Sequence, residues 1–115
     1  MAISLPLQQL IDQLNSELDS SEQEATEGLN LVRGLLSRFP GKELLIQFFA
    51  YLNTVIIFVE NFRRRIQIIL AAISTDEVTA TEIQEIGEEL GTLLGQVLDT
   101  KIEVRRIITR LQNLS

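Results

Sequence analysis

Apolar residues recur at steps of three and four along two long stretches of the chain, with polar residues between them. The first stretch is Leu45, Phe48, Leu52, Val55, Val59, Phe62, Ile66, Ile69 and Ile73. The second is Ile83, Ile86, Leu90, Leu93, Val97, Thr100, Val104, Ile107, Leu111 and Leu114, in which Thr100 is the single polar member. This spacing places the side chains on one face of an α-helix, here called a seam, and seams pack against other helices. The sequence therefore predicts two long helices of a bundle.

A third helix, from about Leu5 to Arg38, is predicted by the same spacing near the start of the chain. Its seam residues are Leu7, Ile11, Leu14, Leu18, Ala25, Val32, Leu35 and Phe39. Ser21 and Gly28 interrupt this seam, and a capping-box pattern over residues 19–24 makes a break near residue 20 an alternative. We favour one helix, because the register continues through the interruption without a change of phase.

Turn and capping signals separate the three predicted helices. The Pro-Gly pair at residues 40–41 ends the first helix, and the second extends over about residues 42–73. A polar connection at residues 74–81 follows, in which Thr79 with Glu82 and Thr81 with Gln84 both have the spacing of a capping box for the third helix. Short connections make consecutive helices antiparallel neighbours, so we expect residues 1–115 to form one all-α domain of three long antiparallel helices.

Composition excludes several kinds of catalytic and metal site. The 115 residues include no cysteine and no histidine, while 45% are hydrophobic and 23% are charged. Such a chain is globular, but it has no thiol catalysis, no ordinary zinc site and no Ser-His triad. We therefore predict no enzymatic activity, no catalytic or metal-binding residues and no cofactor.

Charged residues provide a check on the antiparallel arrangement. Folding the chain on paper places an arginine triplet, Arg63, Arg64 and Arg65, level with Glu17, Asp19 and Glu22 of the first helix and with Glu85, Glu88 and Glu89 of the third. Acids on both sides of a triple arginine predict structural ion pairs between neighbouring helices. With a net charge of −6, the chain is not expected to bind nucleic acid.

The two ends of the predicted bundle differ in charge. Residues 1–30 and 60–90 contain thirteen acids and three arginines, whereas the other half contains all seven remaining cations. These cations are Arg33, Arg38, Lys42, Lys101, Arg105, Arg106 and Arg110. A basic end could contact an acidic partner, a phosphate-bearing surface or the acidic end of another copy. A solvated face is the simpler interpretation.

Three glycines stand at four-residue steps inside the third helix, at Gly87, Gly91 and Gly95. Each costs about 0.8 to 1 kcal/mol relative to alanine in a helix, so close packing is expected to compensate. Small residues at this spacing allow two helix backbones to approach closely. We predict that the first helix packs on this ridge; the alternative is a groove left open for a partner helix or for a second copy.

Two groups of carboxylates could hold a hard cation: Glu24 with Glu27, and Glu85 with Glu88 and Glu89. Residues 88–94, EELGTLL, resemble a helical segment of the all-α nucleotide pyrophosphohydrolases, in which helical carboxylates bind Mg²⁺. This resemblance implies a metal-dependent hydrolase as an alternative function. Thr92 stands where the family has an aspartate, which removes one ligand. A solvated acidic face explains the same residues.

The second helix carries more apolar surface than two neighbouring helices can cover. Ile46, Ile57 and Ile68 add apolar side chains on its outer face. Because burial of each would stabilise an association, we predict self-association, most simply a two-fold dimer that completes the bundle. Our principal hypothesis is a non-enzymatic helical adaptor or regulatory protein that acts through protein–protein contacts. These three isoleucines, with the cations of the basic end, are the predicted partner-binding residues.

The same helix raises the question of a membrane. Its most apolar stretch, residues 44–59, would extend over about 24 Å, short of the roughly 30 Å hydrocarbon core, and arginines follow at residues 63–65. We therefore predict no transmembrane span. Since the first residues also lack the pattern of a secretory signal, we expect a cytoplasmic protein. Attachment to a membrane surface through the basic end and the second helix is a further alternative.

Overall fold

The computed structural model describes residues 4–75 and 78–114, which form three long α-helices. Helix α1 is Leu5–Arg38, α2 is Glu43–Thr75 and α3 is Ala80–Leu114. These bounds lie within two residues of those predicted from the sequence. Helix α1 is continuous, so the alternative of a break near residue 20 is wrong. Part of the predicted connection, residues 76 and 77, lies outside the described residues.

Local signals fix the helix ends. At the end of α1, the Phe39 backbone N–H donates to the Leu35 carbonyl oxygen over 2.8 Å. At the start of α3, the Thr79 hydroxyl oxygen accepts a hydrogen bond from the Glu82 backbone N–H at 3.1 Å, so of the two predicted caps Thr79 is the one used, and Thr81 lies within α3. Phe39 itself, predicted to belong to the seam, lies beyond the last turn of α1 and is exposed.

The predicted seams form the hydrophobic core. Its fully buried side chains are Ile11, Leu14, Leu18 and Val32 of α1, Leu45, Leu52, Val55 and Ile73 of α2, and Leu90, Val97, Val104 and Leu111 of α3. Leu114, at the end of the third seam, is exposed. The core therefore extends along nearly the whole length of the bundle, and the three-helix fold predicted from the sequence is confirmed.

The three helices do not contact one another equally. Helix α1 packs extensively against both α2 and α3, whereas α2 and α3 contact each other much less. Helix α2 is antiparallel to both neighbours, and the molecule measures 57 × 19 × 16 Å. A bundle this narrow leaves a long outer face on each helix, and those faces are where partners can bind.

Side chains of both neighbouring helices pack closely against the α1 backbone at Gly28. A Cβ atom at this position would lie 2.9 Å from Leu52 Cδ1 and 3.5 Å from Ile108 Cγ1. The interruption of the α1 seam at Gly28 therefore makes room for side chains from both neighbouring helices.

The polar interruptions of two seams, Ser21 of α1 and Thr100 of α3, meet at one small cavity. The cavity, of about 10 Å³, is also lined by Leu18, Phe58, Val59, Phe62 and Val97. Thr100 Oγ1 donates to the Gln96 carbonyl oxygen at 2.9 Å. Ser21 Oγ is buried and has no hydrogen-bond partner among the described residues. A buried hydroxyl without a partner reduces stability, so this cavity is a weak point of the core.

Candidate interaction surfaces

Ion pairs join the middle of α2 to both neighbouring helices. Arg63 donates to Asp19 Oδ1 at 2.6 Å and also to Glu22, while Arg65 donates to Glu89 of α3. The hydrogen bond with Glu22 raises the pKa of Arg63 above its ordinary value. These pairs are partly exposed, so each contributes little to the free energy of unfolding. Their main effect is to set the axial alignment of α2 relative to α1 and α3.

Other members of the arginine triplet and its acids lie elsewhere. Arg64 donates to Asn61 of its own helix at 3.5 Å instead of reaching a neighbouring helix. Successive helical residues point about 100° apart, so three in a row are unable to face the same two neighbours. Glu17 pairs with Lys101 instead of the triplet, and Glu85 and Glu88 are exposed on α3.

The charge separation is smaller than the sequence predicted. Lys101 Nζ lies 2.9 Å from Glu17, and Arg105 Nε lies 3.1 Å from Glu24. Both cations were assigned to the basic half, yet both contact acids of the acidic half. The reason is an axial offset between the two parallel helices α1 and α3, which brings residue 101 of α3 level with residue 17 in the first half of α1.

Three of the remaining cations at the basic end stack on phenylalanine rings, and Arg106 lies 3.5 Å from Glu103 of its own helix. Arg33 lies 5.8 Å from the Phe49 ring centre, Lys42 lies 6.0 Å from the Phe39 ring centre, and Arg110 lies 5.5 Å from the Phe48 ring centre. At exposed sites such cation–π contacts stabilise by about 0.5 to 1 kcal/mol. Arg38 is exposed in the last turn of α1. These contacts give several basic residues a structural role.

Three isoleucines form a stripe along the outer face of α2. Ile46, Ile57 and Ile68 have 50%, 58% and 64% of their surface exposed. Their spacing of eleven residues is close to three helical turns, so they align about 17 Å apart along one side of the helix. We call them the isoleucine stripe. Neither α1 nor α3 covers it.

Helix α2 is also apolar enough to be compared with a membrane span. Over Glu43–Ile73 its length and mean hydropathy of 1.5 suffice to cross a bilayer, and 22% of its most apolar window is buried. The apolar helical segment thus extends well beyond the sixteen residues considered in the sequence. However, the same helix carries Arg63 and Arg65, whose ion pairs to α1 and α3 favour its place in the bundle.

Two glycines of the α3 ridge, Gly91 and Gly95, face away from the rest of the molecule, whereas Gly87 is half-buried beside a depression that Leu7 and Leu10 of α1 also line. No atom of another helix lies within 4 Å of a Cβ built at Gly87, Gly91 or Gly95, so the prediction that α1 packs on this ridge is wrong. Helix α1 instead contacts a neighbouring face of α3, through residues such as Lys101 and Ile108. The ridge is open, as the alternative interpretation allowed.

Two exposed apolar residues beside the ridge escaped the sequence interpretation. Leu98 is 37% exposed and Ile102 is 53% exposed, and they stand seven residues after Gly91 and Gly95. A step of seven residues keeps a side chain on the same face, which was the signal that could have identified them. Next to Ile102, an open depression of about 510 Å³ is lined by Arg105, Arg106, Thr109 and Arg110.

The carboxylates do not assemble into a metal site within the described chain. Among residues 4–75 and 78–114, no group of three or more acidic side chains is placed to hold a metal ion. Glu24 contacts Arg105 and Glu89 contacts Arg65. The pyrophosphohydrolase alternative therefore receives no support from the geometry.

Comparison with known proteins adds no assignment. No protein-family model matches the chain, and no curated protein or solved structure matches it significantly. The function is therefore inferred from two surfaces, the isoleucine stripe of α2 and the open glycine face of α3.

Proposed function

We propose that this protein is a non-enzymatic helical interaction protein that acts through self-association and through contact with another protein. One observation carries the proposal: aligned apolar side chains remain exposed on the outer faces of α2 and α3 although the bundle has a complete core. Single exposed apolar residues are ordinary on protein surfaces, but residues aligned along a helix match the side chains of a second helix.

The isoleucine stripe is the surface proposed for a partner protein. Complete burial of an exposed isoleucine contributes about 1.5 to 3 kcal/mol, and each residue of the stripe is already about half covered. Covering all three would therefore contribute about 2 to 5 kcal/mol. That contribution suits a reversible, regulatory contact whose specificity comes from surrounding polar and charged groups.

Site-specific photo-crosslinking tests this surface. We expect a photoreactive amino acid at Ile57, expressed in the cell of origin, to form covalent adducts with a defined set of proteins. The matched control is the same amino acid at Gln23, an exposed position on α1. Identical adducts from both positions, or none from Ile57, would contradict the proposed contact.

Light scattering coupled to size exclusion tests self-association. The chain has a mass of 13.0 kDa, and we expect twice this mass at micromolar concentration. A strict monomer across the micromolar range would contradict this part of the proposal.

Attachment to a membrane surface is a second candidate, supported by the apolar and largely unburied α2. An amphipathic helix with nearby cations binds anionic lipid through both its apolar and basic faces. Sedimentation with anionic vesicles separates the two candidates: the interaction protein stays in the supernatant, whereas a membrane-attached protein enters the pellet.

Calorimetry with Mg²⁺ and a nucleotide turnover assay address the hydrolase alternative. We expect neither heat of Mg²⁺ binding nor pyrophosphate release. Either signal would contradict a non-enzymatic function.

A further inference from the structure

The outer face of α3 carries a second seam with the same three- and four-residue steps as the buried one. Its central members are Glu88, Gly91, Gly95, Leu98, Ile102 and Arg105, all of which are exposed. We call this set the outer seam. Since 3–4 spacing is the pattern by which helices pack in pairs, the outer seam has the geometry of a helix–helix interface that no part of the described chain occupies.

Side-chain size and charge change in order along the outer seam. From its N-terminal end the members are an acid, two glycines, two large apolar residues and a base. The steps between them are three, four, three, four and three, which is the same sequence of steps in either direction. The outer seam is therefore complementary to itself when one copy is reversed.

We propose that the outer seam packs antiparallel against the outer seam of a second copy of this chain, about a two-fold axis near Gln96 and Val97. This inference rests on the self-association proposed above and assigns it to a surface. Ile102 then lies over the partner's Gly91, Leu98 lies over the partner's Gly95, and Arg105 faces the partner's Glu88. In a two-fold interface each contact occurs twice.

A flanking row of residues supports the same alignment. Glu85, Thr92, Asp99 and Arg106 stand at seven-residue steps beside the outer seam and are exposed. In the antiparallel pair, Glu85 faces the partner's Arg106, and Thr92 faces the partner's Asp99. Arg106 also lies 3.5 Å from Glu103 of its own helix, but its side chain is 73% exposed and it keeps donors for a second acid. Two kinds of ion pair, each present twice, therefore form between the two copies. Arg105 retains donors for its pair because only its Nε contacts Glu24, and its side chain is 61% exposed.

The complementarity points to a second copy and to the antiparallel direction. A parallel pair would bring Glu88 against Glu88, Arg105 against Arg105 and glycine against glycine, which combines like charges with empty space. The isoleucine stripe has no comparable self-complementary arrangement of charged residues, since Ile57 is flanked mainly by uncharged polar residues such as Asn53, Thr54 and Asn61. The stripe thus remains free for a different partner when α3 is paired.

The pairing also accounts for the glycines. Gly91 and Gly95 weaken α3, and nothing in the described chain packs closely enough to require them. In the antiparallel pair they receive Ile102 and Leu98 of the second copy and let the two backbones approach, as small residues do at close helix crossings.

Charge reversal with rescue tests the proposal. The variants E85R/E88R and R105E/R106E each place like charges at both kinds of contact, so we expect each alone to raise the dimer dissociation constant by about 100-fold. Mixed in equal amounts, they restore every pair with opposite charges, and a heterodimer should form in sedimentation equilibrium. High salt should weaken this rescue.

Matched controls carry the same changes in net charge on the other helices. The variants E27R/E60R and R38E/R64E alter exposed residues of α1 and α2, and we expect both to remain dimeric. Circular dichroism verifies folding. Because R105E also removes the contact with Glu24, the single variants E85R and R106E provide a second rescue pair that leaves Arg105 unchanged. R106E removes only the exposed pair with Glu103 of the same helix, which contributes little to stability.

Three results would overturn the assignment. If the charge-reversed variants remain dimeric, or if I57E gives monomers while I102E does not, self-association occurs but uses another surface. The proposed function then stands and this inference fails. If the unmodified chain is monomeric at micromolar concentration, the proposed self-association fails as well.

Discussion

The two faces of α3 have the same 3–4 spacing but opposite environments. On the inner face, residues such as Leu90, Val97 and Leu111 are large, apolar and buried. On the outer face, Gly91, Gly95 and their neighbours are exposed and change from acid to small to large to base along the helix. An inner seam surrounded by two other helices requires large side chains at nearly every step. An outer seam matched to one reversed copy requires each small residue to be opposite a large one.

Truncation of one leucine on each face of α3 is expected to give the largest difference in the free energy of unfolding. We expect L90A to lower the free energy of unfolding by about 2 to 5 kcal/mol, because Leu90 is fully buried and truncation leaves a cavity. L98A should cost less than about 1 kcal/mol in the isolated chain, since Leu98 is already exposed. Urea unfolding at submicromolar concentration measures both. Equal losses would contradict the difference between the faces.

Alanine at two glycines gives effects of opposite sign. We expect G95A to raise the free energy of unfolding of the single chain by about 0.8 to 1 kcal/mol, since its Cβ enters open space and alanine favours helix. We expect G28A to lower it by about 1 kcal/mol, because crowding against buried Leu52 exceeds the helix gain. The same urea experiment compares them, and a shared sign would show that their environments are alike.

The polar member of the α1 seam provides a smaller test of the buried side. We expect S21A to raise the free energy of unfolding by about 1 kcal/mol, because it removes a buried hydroxyl without a partner. Thermal unfolding followed by circular dichroism measures the change. S20A, at the neighbouring partly exposed position, is the control and should change stability little. A loss of stability in S21A would show that its hydroxyl is needed.

The smallest expected effect is the pH dependence of stability that comes from Tyr51 of α2, which lies near Glu103 of α3. Burial, followed by the charge of Glu103, raises the pKa of Tyr51 above its ordinary value of 10.0. Because folding favours the neutral phenol, this contribution to stability is complete below pH 10 and is lost as the pH rises through the folded-state pKa. Tyr51 is the only tyrosine and the chain has no tryptophan, so absorbance reports this residue alone. A midpoint at or below 10 in the folded protein would contradict the effect.

Sequence periodicity predicted the inner seams because burial by two neighbours demands large apolar residues at regular steps. The C-terminal end of α1 and the start of α3 were likewise predictable to within two residues, since Pro40 and the capping threonine act through local backbone geometry. The orientation of the glycine ridge was not predictable from the sequence. Helix α3 has two faces with 3–4 spacing, and the sequence does not indicate which of them packs against α1 and α2.

The ion pairs were predictable only in part. Antiparallel folding placed Arg63 near Asp19 and Glu22, and the structure brings them together. The pairing of Lys101 with Glu17 depends on the axial offset between α1 and α3, which the connections set and the seams do not specify. The seven-residue steps place Leu98 and Ile102 on the same face as Gly91 and Gly95, but only the orientation of α3 shows that this face is exposed.

Distances between two spin labels test the pairing of the outer face most directly. The chain has no cysteine, so a single cysteine at Thr92 or Asn113 carries one label per copy. Antiparallel pairing about residues 96 and 97 predicts a separation below about 20 Å for Thr92 and about 50 Å for Asn113, from the helical rise of 1.5 Å per residue. Pulsed dipolar spectroscopy resolves these values. Equal separations at the two positions, or no coupling at a concentration where the chain is dimeric, would contradict the account.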